Sequence, residues 1–480
     1  MDIRPIFYVI GILLCVLAAG MILPLLADLL SGNKDWKVFL VSMIMTFFLG
    51  GGLILINQGN EFTVNVRQTF VLTTLSWVAL SLAASLPFYF STLNMNLTDS
   101  IFEAVSGITT TGSTVIVGLD NAPPGILLWR AILQWLGGIG IIVMALSVLP
   151  FLRVGGMQLF QTESSENEKA LPRAKQIASS IGLIYLTLTF ICMICYNLSG
   201  LSAFDSMAHA MTTIATGGFS TFDASFSHHD QPWTEIVAIT FMILGGLPFI
   251  LYVKTVRGNL KCLFKDSQVR TFLAIIVGAI TLMALYLLVH NGIPLLEALR
   301  RASFNVVSLI TGTGYTNGDY GSWGGFAVIT LFFLMVIGGC AGSTTCGIKV
   351  FRFQVLWSVM ISQLKQLVHP HGVFSPHYNH QPIPEGVAAS VMSFFFVFAL
   401  VFTVIATALS FIGLDFLTAM SGAATSLANV GPGLGDIIGP TGTFQPLPDA
   451  AKWIMSIAMI IGRLELFTVL ILLTPHFWRS

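Results

Sequence analysis

The chain has 480 residues, of which 55% are hydrophobic and only 9% charged, and its mean hydropathy is +0.84. That composition excludes an ordinary soluble domain and describes an integral membrane protein. Formal net charge is zero, with 22 basic and 22 acidic residues, so no global bias points to nucleic acid or to a membrane-surface binder.

A spanning helix needs about 20 mostly apolar residues. In chain order, runs of that length lie at 5–30, 37–57, 68–91, 125–151, 177–199, 233–253, 271–290, 323–350, 386–412 and 450–474, which predicts about ten crossings. The first run, Ile6 to Leu30, is too long for a signal-peptide core, lacks a small-residue cleavage site and reads as a retained helix. Long, nearly uncharged runs exclude a β-barrel, whose strands would alternate over about 10 residues. The expected fold class is an all-α integral membrane protein.

Lysines and arginines in short loops set orientation. Arg67 flanks one run; Arg153, Lys169, Arg173 and Lys175 fill the segment after the fourth; Lys254, Arg257, Lys261, Lys265 and Arg270 fill the next alternate segment; Lys349, Arg352 and Lys365 fill the third. These segments are assigned to the cytoplasm. Segments 92–124, 200–232 and 413–449 contain no lysine or arginine and are assigned outside.

The outer segments are too apolar to be simple loops, and each holds a short helical stretch ending in a threonine- or glycine-rich turn. The first reads "TDSIFEAVSGITTTGSTVI", in which Thr98, Asp99 and Ser100 can cap a helix start and Glu103 completes a capping-box spacing from Ser100. A helix ending near Thr109 would be about 15–18 Å long, roughly half a bilayer. The arrangement recurs in "LSAFDSMAHAMTTIATGGFST", "IPLLEALRRASFNVVSLITGTGYTNGD" and "LDFLTAMSGAATSLANVGPGLGD". Aligned on Gly112, Gly217, Gly314 and Gly431, the repeats lie about one hundred residues apart. Phe102, Met207 and Phe304 then stand ten positions before the glycine, and Met420 one position earlier still. Two helices within 1–60 precede four helix, half-helix, turn, helix units at 61–160, 161–262, 263–365 and 366–480.

Non-helical backbone at membrane depth is tolerated only inside protein or along a water-filled cavity. Four such turns imply a shared central cavity, and half-helices entering from outside aim their negative C-terminal ends inward, which favours a cation. Glycine permits the positive φ that lets successive carbonyls face one way. Thr110, Thr111 and Gly112, with Thr216 and Gly217, Thr313 and Gly314, and Asn429, Val430 and Gly431, then form a ring able to replace an alkali cation's hydration shell. Asp120, Asp223, Asp319 and Asp436 follow the four glycines; they either give the outer mouth a negative potential or serve as ordinary turn residues.

"TGTGYT" resembles the filter signature of potassium channels, and the four-fold layout resembles the Trk/Ktr/HKT superfamily of cation transporters. In length and loop pattern the likeness is to its TrkH type, the membrane subunits of bacterial Trk potassium uptake systems, over about residues 60–475. A glycine in every turn is that family's pattern for potassium selectivity. The fourth turn, "NVGPG", carries fewer hydroxyls than the others.

In the third repeat, "VIGGCAGSTTCGIKVF" interrupts a helix between Gly338 and Gly347. The resemblance implies an intramembrane loop beneath the filter that moves on gating, built here from Gly338, Gly339, Gly342, Ser343, Thr344, Thr345 and Gly347. The alternative is close helix packing through small residues. Arg463, in "IIGRLELFTVL", lies inside the last run, where an ionisable residue is functional by default. The resemblance places it at the pore beside the loop; a structural salt bridge elsewhere is the other reading, and Glu465 lies too close along the helix to be its partner. Arg130, in "LLWRAILQW", could snorkel to an interface.

Other features carry less. Cys192-x-x-Cys195 lies in an apolar helix with no charge to activate a thiol, and the six cysteines form no paired framework. His369, His371, His377 and His380, in "HPHGVFSPHYNH", fit no zinc spacing and read as a solvated loop; His228-His229 reads as an outer surface. Gly312-x-Gly314 lacks the strand and third glycine of a dinucleotide fingerprint. The mixed-charge "TESSENEKALPRAK" reads as a surface able to meet a soluble partner.

The leading expectation is therefore potassium uptake through the four-turn filter, with no cofactor on this chain and no enzymatic activity. The resemblance also implies a homodimer in lipid of the bacterial inner membrane, bound by a cytoplasmic nucleotide-binding regulatory subunit (TrkA-like), with Lys254–Arg270 and Lys349–Lys365 as the docking surface. Alternatives are a symporter coupled to sodium or protons, for which Glu465 is the main buried carboxylate, and an intramembrane enzyme, for which no paired catalytic groups stand out.

Overall fold

A computed structural model describes residues 1–59, 65–147, 159, 170–229, 231–379, 381–384 and 386–479, without the side chains of 145–147 and 170–177. Arg153, Lys169, His380 and most of the mixed-charge 162–175 stretch lie outside the described residues. Apolar composition makes long helices, because every backbone group must find its partner within the segment. In chain order they are α1 (Arg4–Gly20), α2 (Ile22–Leu30), α3 (Trp36–Ile56), α4 (Val66–Ala84), α5 (Leu97–Ile108), α6 (Pro124–Ser147), α7 (Ala170–Leu198), α8 (Ala203–Ile214) and α9 (Pro232–Gly245). There follow α10 (Phe249–Val256), α11 (Ser267–His290), α12 (Leu295–Ile310), α13 (Gly325–Val336), α14 (Val350–Val368), α15 (Val387–Phe411), α16 (Phe416–Ala428), α17 (Asp449–Arg463) and α18 (Phe467–Leu470). Among the described residues the strand pair is one short antiparallel hairpin, His377–Tyr378 with Gln381–Pro382, in the histidine-rich loop. His369, His371 and His377 there are exposed.

Seven of these helices or nearly continuous pairs are long and apolar enough to span a membrane, and nine if two bent pairs each count once. The ten expected runs differ from this in a physically informative way. The run 233–253 bends by 91° between α9 and α10, and the run 450–474 bends by 106° between α17 and α18. The run 323–350 holds only the 12-residue α13 before the helix stops at Val336. Gly246-Leu247-Pro248 explains the first bend, since proline removes a donor and restricts the residue before it. All three breaks meet in one place, described below.

The half-helices α5, α8, α12 and α16 are short and almost wholly buried toward their C-terminal ends: Ser100 to Ile108 and Ser421 to Ala428 are buried without interruption. At 12, 12, 16 and 13 residues they cannot cross a bilayer. Three start at side-chain caps: Asn96 accepts from the Asp99 amide at 2.7 Å, Ser202 from Asp205 at 3.0 Å, and Asp415 from Thr418 at 3.1 Å. Asn96, rather than Thr98, Asp99 or Ser100, therefore caps the first, because its side chain reaches the third helical amide, and Glu103 is left for another role. The extra helices pack closely: a Cβ on Gly11 would lie 2.7 Å from the Gly50 carbonyl oxygen, so α1 and α3 cross at a pair of glycines.

Candidate functional site

Each half-helix ends in the same backbone figure. The amides of Thr111, Gly217, Thr313 and Val430 donate to carbonyls five residues back, on Ser106, Thr212, Ser308 and Thr425, at 2.9, 2.9, 2.9 and 3.1 Å. The residue before each donor is left-handed, with φ of +53° at Thr110, +50° at Thr216, +68° at Gly312 and +52° at Asn429. The residue after each is a left-handed glycine, with φ of +89° at Gly112, +78° at Gly218, +80° at Gly314 and +110° at Gly431. The register of the second repeat is thus corrected by one. Gly218 stands with Gly112, Gly314 and Gly431, while Gly217 occupies the place of Thr111, Thr313 and Val430. Ala208, not Met207, stands ten positions before Gly218, so the bulky position does not recur there.

These glycines close a ring. A Cβ on Gly112 would collide with the carbonyl oxygen of Gly217, one on Gly218 with that of Thr313, and one on Gly314 with that of Val430. A Cβ on Gly431 would lie 2.9 Å from the Thr111 carbonyl oxygen, which returns the sequence of contacts to the first repeat. No side chain fits between successive turns. The half-helix C-termini face this ring, so their partial negative charge is brought together there.

Side chains brace the ring from behind. Ser113 Oγ donates to the Gly431 carbonyl at 2.7 Å, Asn429 Nδ2 to Thr111 Oγ1 at 2.9 Å and Gln134 Nε2 to the Gly217 carbonyl at 2.6 Å, while Gln134 Oε1 accepts from the Phe219 amide at 3.0 Å. Thr109 and Thr111 pair their hydroxyls at 2.7 Å, and Thr311 and Thr313 theirs at 2.8 Å. Thr114 Oγ1 donates to Glu103, so neither Ser113 nor Thr114 holds an uncommitted hydroxyl.

Arg130 does not snorkel. It is 1% exposed, and its Nε lies 2.8 Å from Glu103 Oε1, itself fully buried. Glu103 also accepts from the Val115 amide at 2.9 Å, and Arg130 donates to the Ser220 carbonyl at 2.7 Å with its guanidinium 4.0 Å over the Phe219 ring. The two charges are compensated by each other and by hydrogen bonds, which is the condition for burying them. A cavity outside the ring is lined by all four glycines with Arg130, Asp223 and Pro432. The four aspartates are exposed. Asp223 alone of them lines this cavity, and it also caps the Gly118 and Leu119 amides at 3.1 and 3.0 Å; Asp319 accepts from the Gly321 amide at 2.8 Å.

Beneath the ring lies the segment from Ile337 to Lys349. Its ends pair as a single parallel bridge between Ile337 and Ile348. Gly338, Gly339, Gly342, Ser343, Thr344, Thr345 and Gly347 fold between the bent helices. The Thr344 amide and hydroxyl donate to the Gly245 carbonyl at 3.2 and 2.9 Å, the Cys340 amide to Gly246 at 3.1 Å, and the Phe249 amide to Gly342 at 2.9 Å. The α9–α10 bend is therefore the socket of the loop. Thr216 Oγ1, in the second turn, lies 3.1 Å from Thr344 Oγ1, and the Ala341 amide donates to Gln268 at 2.9 Å.

Arg463, the last residue of α17, is 2% exposed and sits at the other bend. It donates to the Thr344 carbonyl at 3.2 Å, to Cys346 Sγ and to the Gly137 carbonyl at 3.0 Å. Glu465 instead takes Arg352, whose NH2 lies 2.5 Å from Oε2 and whose guanidinium stands 3.7 Å over the Phe394 ring. Lys349 Nζ folds back onto the Thr345 carbonyl and hydroxyl. Lys349 and Arg352 are thus buried under the loop and present no cytoplasmic docking charge, whereas Lys254, Arg257, Lys261, Lys265, Arg270 and Lys365 are exposed.

Reasoning from the sequence missed Gln134, the Glu103–Arg130 pair and the Arg352–Glu465 pair. A glutamine four residues after an arginine inside an apolar run was the available signal for the first; nothing local announces the pairings, whose partners lie 27 and 113 residues apart.

Comparison with known proteins agrees with this architecture. A family model described as TrkH, cation transport protein, matches residues 36–479. The chain is 45% identical to a Trk system potassium uptake protein TrkI from Halomonas elongata, over 99% of this chain and 97% of that one. It is 37% identical to Trk system potassium uptake protein TrkH of Escherichia coli K12, over the full length of both. The crystal structure of the potassium transporter TrkH from Vibrio parahaemolyticus superposes over all of both chains with a TM-score of 0.93 at 37% identity. A multi-pass all-α chain with this extent of match belongs to the TrkH family of cation transport proteins.

Proposed function

We propose that the chain carries potassium into the cell through the ring of four turns, as the membrane subunit of a Trk-type uptake system in the bacterial inner membrane. The observation that carries this reading is the closed cycle of glycine-to-carbonyl approaches, Gly112 to Gly217, Gly218 to Thr313, Gly314 to Val430 and Gly431 to Thr111. It brings one backbone oxygen from each of the four repeats against the glycine of the neighbouring repeat. Carbonyl dipoles at that density replace the water lost by an alkali cation, and the half-helix ends add to the field. Potassium is the ion because the relatives over the full length are named potassium uptake proteins.

The loop from Gly338 to Gly347 is the gate in this reading, and Arg463 adds a positive barrier under the filter. Its support is position: the loop touches the second turn through Thr344 and is held by Arg463. A homodimer and a cytoplasmic nucleotide-binding partner complete the system, with the exposed Lys254, Arg257, Lys261, Lys265 and Arg270 as the docking charges. Charge reversal there that leaves partner binding unchanged would remove that surface.

Flux in proteoliposomes tests the function. Potassium or rubidium current that reverses at the ion's own Nernst potential is expected, and Gly112→Ser should lower selectivity over sodium. A reversal that follows an imposed proton or sodium gradient would replace the channel by a symporter, and no cation flux at all would end both.

A further inference from the structure

His209 on α8 is fully buried and is used by neither the ring nor the loop. Its hydrogen bonds define its tautomer. Nδ1 lies 2.9 Å from the Asp205 carbonyl oxygen, which can only accept, so Nδ1 carries the proton. Nε2 lies 3.2 Å from Ser220 Oγ, so in the neutral ring Nε2 accepts and the serine donates. Ser220 Oγ in turn accepts from the Phe222 amide at 3.1 Å. Ser220 is two residues beyond Gly218, and its carbonyl is the one held by Arg130, whose partner Glu103 holds the Val115 amide beyond the first turn. One chain of bonds therefore joins the imidazole to the segments that leave two of the four turns.

We infer that His209 is a positioning residue for ion selection: its neutral, Nδ1-protonated ring fixes the segment leaving Gly218 through Ser220, and a proton taken up at Nε2 from the outer solution releases that segment. The inference rests on the four-turn pathway proposed above. The added proton occupies the Nε2 lone pair. Nε2–H and the Ser220 hydroxyl hydrogen then oppose one another: Oγ can accept from both Nε2–H and the Phe222 amide, but its own hydrogen must turn away and loses the acceptor that Nε2 supplied.

The groups around His209 act on such uptake in both directions and tie it to the outside. Its own helix contributes Asp205, whose carboxylate accepts from Ser202 Oγ at 2.6 Å and Thr221 Oγ1 at 2.7 Å and favours the imidazolium. The outer loop contributes His229, with ring centroids 5.9 Å apart, and beyond it His228, both of which oppose a second positive charge. Burial, then His228, lowers the proton affinity of His229. Tyr196 from α7 and Tyr315 from the third turn face the ring as neutral phenols, Tyr315 donating to the His209 carbonyl at 3.3 Å. Arg130 acts at one remove, through Ser220.

Proteoliposomes of the full-length chain, with the interior buffered and the external pH stepped from about 8 to about 4, through and below the range of a free imidazole, give the test. The wild type should keep its potassium-over-sodium permeability ratio at the alkaline end and lose it severalfold at the acid end. His209→Gln, which presents a donor and an acceptor but does not titrate, should retain the alkaline ratio and show no acid loss. Ser220→Ala should show a low ratio at both ends, and the double variant His228→Gln, His229→Gln should keep the acid loss. A wild-type ratio that is flat with pH, an acid loss that persists in His209→Gln, or one that disappears in the double variant would each overturn the proposal. If His209→Gln does not yield folded protein by size-exclusion chromatography, an acid response in Ser220→Ala identical to wild type overturns it as well. Absence of selective flux at pH of about 8 would instead sink the pathway itself.

Discussion

The four turns and the loop beneath them are both irregular backbone at membrane depth, yet they are held in opposite ways. The turns repeat one figure four times, and each leans on the next through main-chain atoms. The loop occurs once, and its anchors come from unrelated places: the α9–α10 bend, Gln268, Lys349 and Arg463. A ring of repeated contacts cannot lose one without disturbing its neighbours, whereas a loop hung from separate pegs can leave them together. Under the proposed function, the first arrangement suits selection and the second suits gating.

The sharpest way to break the comparison is at Gly218. Gly218→Ala forces a Cβ into the Thr313 carbonyl at φ +78°, and selective flux should be abolished. In Gly217→Ala the atoms nearest the new Cβ belong to the side chain of Gln134 rather than to backbone, and the cost should be less; the reverse order in a flux assay would restore the register read from sequence. Next comes the loop. Arg463→Gln removes the charge-assisted bond to the Thr344 carbonyl, worth about 1.5–3 kcal/mol, so open probability should rise by roughly tenfold or more in single-channel or flux records. A fall in flux would mean that Arg463 supports the pathway rather than obstructing it.

Smaller effects sharpen the picture. Lys349→Met cuts the tie from α14 to Thr345, and flux should rise by a factor of about five, the equivalent of one ordinary hydrogen bond. Ser113→Ala removes the brace on the Gly431 carbonyl and should cost about 1 kcal/mol of thermal stability with a modest loss of selectivity. Asp223→Asn should lower the uptake rate slightly at low ionic strength and not at high, because exposed charges are screened beyond about 8–10 Å.

Much of this was legible in the residues. Apolar run length gave the membrane class, repeated "half-helix then glycine" segments gave the four quadrants, and nine weak helix formers in ten residues marked the loop. The second register was not legible, because "TGG" offers two glycines and only φ and the neighbouring carbonyl tell them apart. The bend after Arg463 was hidden for another reason: "GRLEL" has no proline, and the helix ends because Arg463 is drawn to the loop while Glu465, at φ +60°, turns to Arg352. Glu103 fitted a capping-box spacing, but Asn96 already held the amide that mattered.

That the ring is built from one continuous chain has a consequence for how such a pore can vary. In a pore made of four identical subunits any substitution appears four times, and an obstructing loop would have to appear four times at the axis, where there is no room. Here each quadrant is written separately. The first can carry both Glu103 and Gln134, and the third can give up half of a helix to a loop, without the others following. A single chain thus lets the walls of the proposed pathway differ from one another, and a loop can be fitted to one wall alone.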